Sequence, residues 1–315
     1  MIHQRPYAGE ADLQPLADLL NACEEADRLG FGVSVDGLRH SLQAPAPEFI
    51  SLWEDDDGKL AGFANIQAIR PSPEGIEGWL GFSVHPAARG SDLGDRIIEW
   101  AVARMRAAGQ EKGIRARLVT QARDDESYRN SLLKKSGFTV AGYMFMMARR
   151  LDELPEPQLP DGFKLRAPAG EAEAEAWVAM HNETFAESQR TARLTIEEYR
   201  RRLSAPFYEP GLDLLAVAPD GAFAAFCLCR QGMTEEKPQT GGKEGWVSLL
   251  GARREFRKMG LGRAMLLAGL NRLKAAGVET ALLGVEADNP TGATKLYESV
   301  GFRKMLTWVQ YQREV

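Results

Sequence analysis

The chain has 315 residues, long enough for two domains of ordinary size that each bury a core of their own. An apolar fraction of 44% and a charged fraction of 26% are those of a soluble globular protein, and a net charge of −5 gives no electrostatic case for nucleic acid or an anionic membrane as partner. Cys23, Cys227 and Cys229 are odd in number and lack CxxC spacing, which argues against a disulfide frame and a zinc site alike. The first residues carry no secretory pattern, and no apolar run approaches the roughly 18–20 residues of a membrane span, so a cytoplasmic protein is expected.

Apolar spacing predicts a helix over 12–30, with Leu16, Leu19 and Leu20 on one face and Gly30 as its stop. Residues 49–53 read as a strand, 54–58 as a tight acidic turn and 59–69 as the hairpin partner. That turn lacks the length and the distal glutamate of a calcium loop. A central strand is expected over 79–85, a helix over 93–108, a strand over 116–121, a helix over 127–136 and a strand over 138–149. Pro155, Pro157 and Pro160 among acidic residues make 151–161 a semi-rigid linker. Past it, the pattern predicts helices over 171–185 and 195–203 and a hairpin of 212–218 with 221–230 across Pro219-Asp220. A polar, glycine-bearing loop over 233–243 is placed to cover an acceptor substrate. Then come a buried strand over 245–252, a helix over 261–276 stopped by Gly277, a strand over 280–286, an Asp288-Asn289-Pro290 turn and a helix over 291–300.

The chain repeats itself. Glu77-Gly78-Trp79-Leu80 matches Glu244-Gly245-Trp246-Val247 in type. Leu93-Gly94 and Leu261-Gly262 each open a helix that ends in Ala-Ala-Gly, and Gly137-Phe138 and Gly301-Phe302 each close the last helix of a half. The pairs keep one order at nearly one offset, so two copies of one fold are the economical reading, divided as 1–150, linker 151–161 and 162–315.

In the second copy, Arg257-Lys258-Met259-Gly260-Leu261-Gly262 stands between a strand and a helix start. Such a turn leaves backbone N–H groups unpaired at the positive end of a helix, an anion site whose usual occupant is a phosphate. No Walker loop is present, and Met265 stands where a dinucleotide fingerprint needs its third glycine. The Arg-x-x-Gly-x-Gly turn, followed by Asn289 and by Leu296-Tyr297 ahead of Gly301-Phe302, resembles the signature of the GNAT acetyltransferase superfamily. Two copies in tandem, one eroded, are similar to its mycothiol synthase group. The resemblance covers nearly the whole chain. It implies an α/β fold of two tandem GNAT-like domains, each a mixed, mostly antiparallel sheet flanked by helices.

It also implies an acetyl-CoA-dependent N-acetyltransferase that acts on a small-molecule amine, with no metal. On that resemblance the pyrophosphate goes to the amides of Lys258, Met259, Gly260, Leu261 and Gly262, with Arg257, Lys258 and Arg263 as nearby cations. Leu250, Gly251, Ala252 and Asn289 lie along the pantetheine arm, and Tyr297 protonates the leaving thiolate. Asn289 also fits an Asx turn. Glu244, at the start of the central strand, and Glu286, at the end of its neighbour, are rival general bases. In the first copy Asp92 replaces the first motif glycine and Leu133 replaces the tyrosine, with Tyr128 one turn earlier. A carboxylate there repels a diphosphate, so that copy is expected not to catalyse. His181-Asn182-Glu183 could face the acceptor or form a partly buried polar patch. A non-catalytic acyl-CoA sensor remains the alternative, and both monomer and homodimer stay open.

Overall fold

A computed structural model describes residues 1–28, 32–42, 46–72, 75–186, 193–205, 208–232, 240, 242–289 and 291–315. They form two compact units. The first comprises Met1–Met144 with Leu306–Val315, and the second, among the described residues, runs from Phe145 to Met305.

The first unit contains β1 (His3–Pro6), α1 (Glu10–Asp27), α2 (Val35–Ser41), β2 (Ile50–Glu54), β3 (Leu60–Ser72), β4 (Gly75–Val84), α3 (Leu93–Lys112), β5 (Arg115–Arg123), α4 (Ser127–Lys135) and the start of β6 (Thr139–Arg150). Its sheet runs β1-β2-β3-β4-β5 and is completed by β12 (Arg303–Glu314), whose Trp308 to Glu314 pair with Arg123 to Arg117. Among the described residues, β4 and β5 pair in parallel and the other pairs of this sheet are antiparallel. Residues alternate along β4, with Ile76, Leu80, Phe82 and Val84 buried toward α3, as a strand half-covered by a helix requires.

The second unit contains the rest of β6, β7 (Lys164–Arg166), α5 (Ala174–Thr184), α6 (Ile196–Leu203), β8 (Asp213–Val217), β9 (Phe223–Gln231), β10 (Glu244–Ala252), α7 (Leu261–Ala275), β11 (Thr280–Glu286), α8 (Ala293–Ser299) and the start of β12. β7 to β10 are antiparallel in sequence order, β10 and β11 are parallel, and β6 flanks β11. One apolar core lies under α7 and another under α5 and α6.

Duplication shows most clearly in hydrogen bonds. Arg5 grips Asp12, which also accepts from the Ala8 N–H, while Arg166 grips Glu173, which accepts from the Ala169 N–H. Asn21 exchanges two bonds with the backbone of Val33, and Asn182 does the same with Leu194. Arg39 reaches Glu10 as Arg200 reaches Glu171. Most of the side chains are the same and each device recurs at one constant spacing, with Asp12 exchanged for Glu173.

The two copies fill one layer differently. Leu16, Leu38 and Ile50 of the first are replaced by Trp177, Tyr199 and Asp213 in the second. Trp177 Nε1, Tyr199 Oη and Asp213 Oδ1 are buried without a partner among the described residues. His181 belongs to the same aromatic layer, stacked on Trp177 with centroids 5.6 Å apart, and burial lowers its pKa. His181 is thus buried among aromatic rings, whereas Asn182 is half-buried and Glu183 is exposed.

Several expectations are adjusted. β1, α2 and β12 were not anticipated, and 171–185 divides into a 3-10 turn over Gly170–Glu173 followed by α5. The acidic turn closes as a hairpin in which Asp55 Oδ1 accepts the amides of Asp57 at 3.1 Å and Lys59 at 2.9 Å. The expected helix stop at Gly30, Pro290 and most of the 233–243 loop lie outside the described residues.

Candidate active site

The site is built on the central strand of the second unit. β10 and β11 pair only at Glu244–Thr280, Gly245–Ala281 and Trp246–Leu282, although the strands continue to Ala252 and Glu286. On its other side β10 stays paired to β9 as far as Ala252–Ala225, but the register slips between Val247 and Leu249. Ser248 is the extra residue of a β-bulge, which bends and twists its strand away from the neighbour. The edge of 247–252 that faces β11 is thus an opened strand edge carrying Leu250, Gly251 and Ala252. Gly251 is required by packing: a Cβ there would lie 2.5 Å from Thr184 Cγ2 and 2.8 Å from Phe226 Cζ.

The turn behind that strand contains two left-handed residues, Lys258 at φ 64° and Gly260 at φ 87°. Gly260 is the N-cap of α7 and no side chain caps the helix. The amides of Lys258, Met259, Gly260, Leu261, Gly262 and Arg263 have no acceptor among the described residues. Gly262 faces Leu296, which a Cβ would touch at 3.4 Å. Such convergent N–H groups at the positive end of a 15-residue helix fit a diphosphate without help from a metal.

The side chains around the turn divide the work. Arg257 points inward, with Nε donating to Ala252 O at 3.3 Å and Nη2 to Thr184 O at 3.1 Å. Arg89 of the first unit does likewise, bonding Val84 O at 3.2 Å and Asp27 twice at 2.6 Å. This arginine is a clamp that both copies keep, tying the strand end to the helix beside it. Arg263, Lys258 and Met259 are exposed, and Arg263 donates to Ser299 O and Oγ.

Tyr297 on α8 lies in the core under α7, 8% exposed, its ring edge-on to Phe302 with centroids 6.0 Å apart. Burial, with Cys227 close by, pushes its phenol up to about 12. Asn289 Oδ1 accepts the Thr291 amide at 3.0 Å and hydroxyl at 2.6 Å, so the Asx turn is formed. Glu244 lies where β10 and β11 are still paired, and its carboxylate accepts the Thr240 amide at 2.5 Å. Glu286 lies at the far end of β11, where the strands are apart. Gly245 and Val285 face α7, so their neighbours Glu244 and Glu286 belong to the opposite face of the sheet. Both acids therefore share one face and Tyr297 stands on the other.

The first unit lacks this arrangement at three points. β4 has no bulge opposite Gly62 to Gln67, one amide at the start of α3 is already taken, Leu93 N–H donating to Ser91 Oγ at 3.2 Å, and Leu133 is a fully buried core residue. Asp92, at the place of Gly260, has an ordinary φ of −77°. Ser248 was missed from the sequence, though a signal existed: the spacing between equivalent residues grows by one between Trp79/Trp246 and Leu93/Leu261.

The acetyltransferase (GNAT) family matches twice, at residues 13–138 and 174–302. The mycothiol acetyltransferase of Thermobispora bispora is 34% identical over 266 residues, covering 84% of this chain and 83% of its own. That of Sanguibacter keddieii is 31% identical over 312 residues, covering 96% and 93%. A solved GCN5-related N-acetyltransferase from Sphaerobacter thermophilus shares the fold over 99% of this chain and 95% of its own, with TM-score 0.78 at 24% identity. The chain belongs to the acetyltransferase (GNAT) family as a tandem protein similar to the mycothiol acetyltransferases, and it is an acetyl-CoA-dependent N-acetyltransferase.

Proposed function

We propose that the second unit transfers the acetyl group of acetyl-CoA directly to a primary amine of a small molecule, in a ternary complex. The observation that carries this reading is a single stretch of chain in which the β10–β11 pairing ends at Trp246, Ser248 bulges, and six amides without an acceptor among the described residues lead into α7. Relatives called mycothiol acetyltransferase support a small molecule as acceptor.

Lys258 to Arg263 hold the diphosphate through their N–H groups, and Lys258 adds a cation. The absent Cβ atoms of Gly260 and Gly262 let its oxygens approach the backbone. The opened edge at Leu250, Gly251 and Ala252 receives the amide-bearing arm as it would receive another strand, with Asn289 at the opposite border. Bound acetyl-CoA supplies an acetyl group activated as a thioester. A backbone N–H at the bulge donates to the carbonyl oxygen as it gains charge.

Acid and base then work from opposite faces. The amine arrives on the face shared by Glu244 and Glu286 and gives up its proton there, directly or through a water. The Tyr297 phenol, held near 12, keeps its proton at neutral pH. Full transfer to a thiolate of pKa about 8.5 is uphill by roughly 5 kcal/mol, so the phenol steadies the departing sulfur as a hydrogen-bond donor.

Thiol release from acetyl-CoA against a panel of small amines tests the reading. Gly260→Asp puts a Cβ at a left-handed φ and a carboxylate against the diphosphate. Losing two hydrogen bonds to a charged acceptor, at about 1.5–3 kcal/mol each, should weaken cofactor binding at least about 100-fold. Undiminished turnover in that variant would remove the active site from the second unit.

A further inference from the structure

We infer that Arg129 occupies the wedge of the first unit from within and shuts that copy to acyl-CoA, so that one chain takes one cofactor. This rests on the assignment of the acyl carrier to the β10–β11 wedge. β4 and β5 pair in parallel from Gly75–Arg115 to Trp79–Val119, and the pairing then stops, as it does between β10 and β11. What lies beyond that point differs. Thr120 Oγ1 donates across the gap to Leu80 O at 2.8 Å. Arg129, reaching in from α4, donates through Nη1 to Phe82 O on β4 at 2.7 Å and through Nε to Gln121 O on β5 at 2.8 Å. Its Nη2 donates to Thr120 Oγ1 at 3.1 Å, and the guanidinium lies 3.8 Å over the Phe82 ring.

One rigid fork of donors thus spans both strands, a geometry that a lysine ammonium does not reproduce. The main-chain carbonyls that an amide-bearing arm needs as partners are already satisfied. The space left beside the guanidinium is about 60 Å³, lined by Cys23, Asp27, Arg89, Glu126 and Tyr128. The smallest ordinary ligand pockets are about 300 Å³. The second unit is the internal control. Counting back from Gly137-Phe138 and from Gly301-Phe302, Arg129 and Ala293 hold the same position, and a methyl group cannot cross the gap.

Titration calorimetry of the full chain with acetyl-CoA should give one site per chain, lost in Gly260→Asp. Two sites in the unaltered chain would overturn the inference, whereas no site at all would overturn the underlying assignment and this inference with it. Hydrogen exchange on the unaltered chain reads the same point without a variant: acetyl-CoA should slow 247–252 and 257–263 and leave 80–84 and 89–94 unchanged. Protection at 80–84 would refute the plug. In the Gly260→Asp background, Ser91→Met with Asp92→Gly copies the second unit's entrance, and adding Arg129→Ala also copies its wedge. Binding should return only with the third change. Equal binding without it would show that Arg129 is not the barrier.

Discussion

At the scale of single residues, environment decides what each group can do. Tyr297→Phe removes one hydroxyl from a buried ring whose packing on Phe302 is kept. It should lower kcat by about 10²-fold, the lower end for loss of one preorganised hydrogen-bond donor, and leave the dissociation constant for acetyl-CoA within about twofold. An unchanged kcat would clear the phenol of any part in the chemistry. Asp213 makes the opposite case, a polar group that costs stability. Burial pushes its carboxyl up to about 6, although Tyr208 donates to it at 3.1 Å. The folded chain therefore holds this proton more tightly than the unfolded one. The penalty is absent below about pH 4, grows through about pH 6 and is complete above, near 3 kcal/mol at about 1.4 kcal/mol per decade of proton affinity. Asp213→Asn should raise the unfolding free energy by about 2–3 kcal/mol at pH 8 and hardly at all at pH 4. An equal gain at both pH values would show that burial of the charge is not the cause.

At the scale of elements, one inserted residue separates the two central strands. Val247, Leu250 and Ala252 face α7 just as Leu80, Phe82 and Val84 face α3, so removing Ser248 restores strict alternation without turning any core side chain outward. The deletion should leave a folded protein, by circular dichroism and melting, with kcat/KM reduced by about 10²–10³, the usual loss of an oxyanion donor. Retained activity would mean that the bulge is incidental. The turn and α7 were legible in the sequence because glycines and helical spacing are local signals. Arg129 was not, since an arginine in a short helix looks solvated until the strands around it are placed. α2 escaped because seven residues with Gly37 inside give too short a period to detect, and β1 because four residues ending in proline give none. The alternation of Thr307, Val309 and Tyr311 along β12 is plain, yet nothing local says which sheet it joins.

At the scale of the molecule, sequence order and structural membership part company. The repeat is evident from matched motifs, but Leu306–Val315 belongs to the unit built from the other end of the chain. There Tyr311 Oη donates to Asn130 Oδ1 at 2.7 Å and Arg313 donates to Ser136 O at 2.5 Å. Cutting the chain after Met305 should therefore speed hydrogen exchange in β5 and α4 while β8 and β9 keep their protection. Faster exchange confined to β8 and β9 would contradict the exchange of strands. The same membership has a consequence for synthesis. At about 5–20 residues per second, roughly 10–40 s pass between the making of Arg123 and that of Glu314, its unit's last strand residue. Through that interval one flank of β5 stands bare while the ribosome is still at work, open to any stray chain that could line up along it. Newborn copies of this protein would then be at greatest risk of clumping until residues 308–314 have been made and can cover that flank.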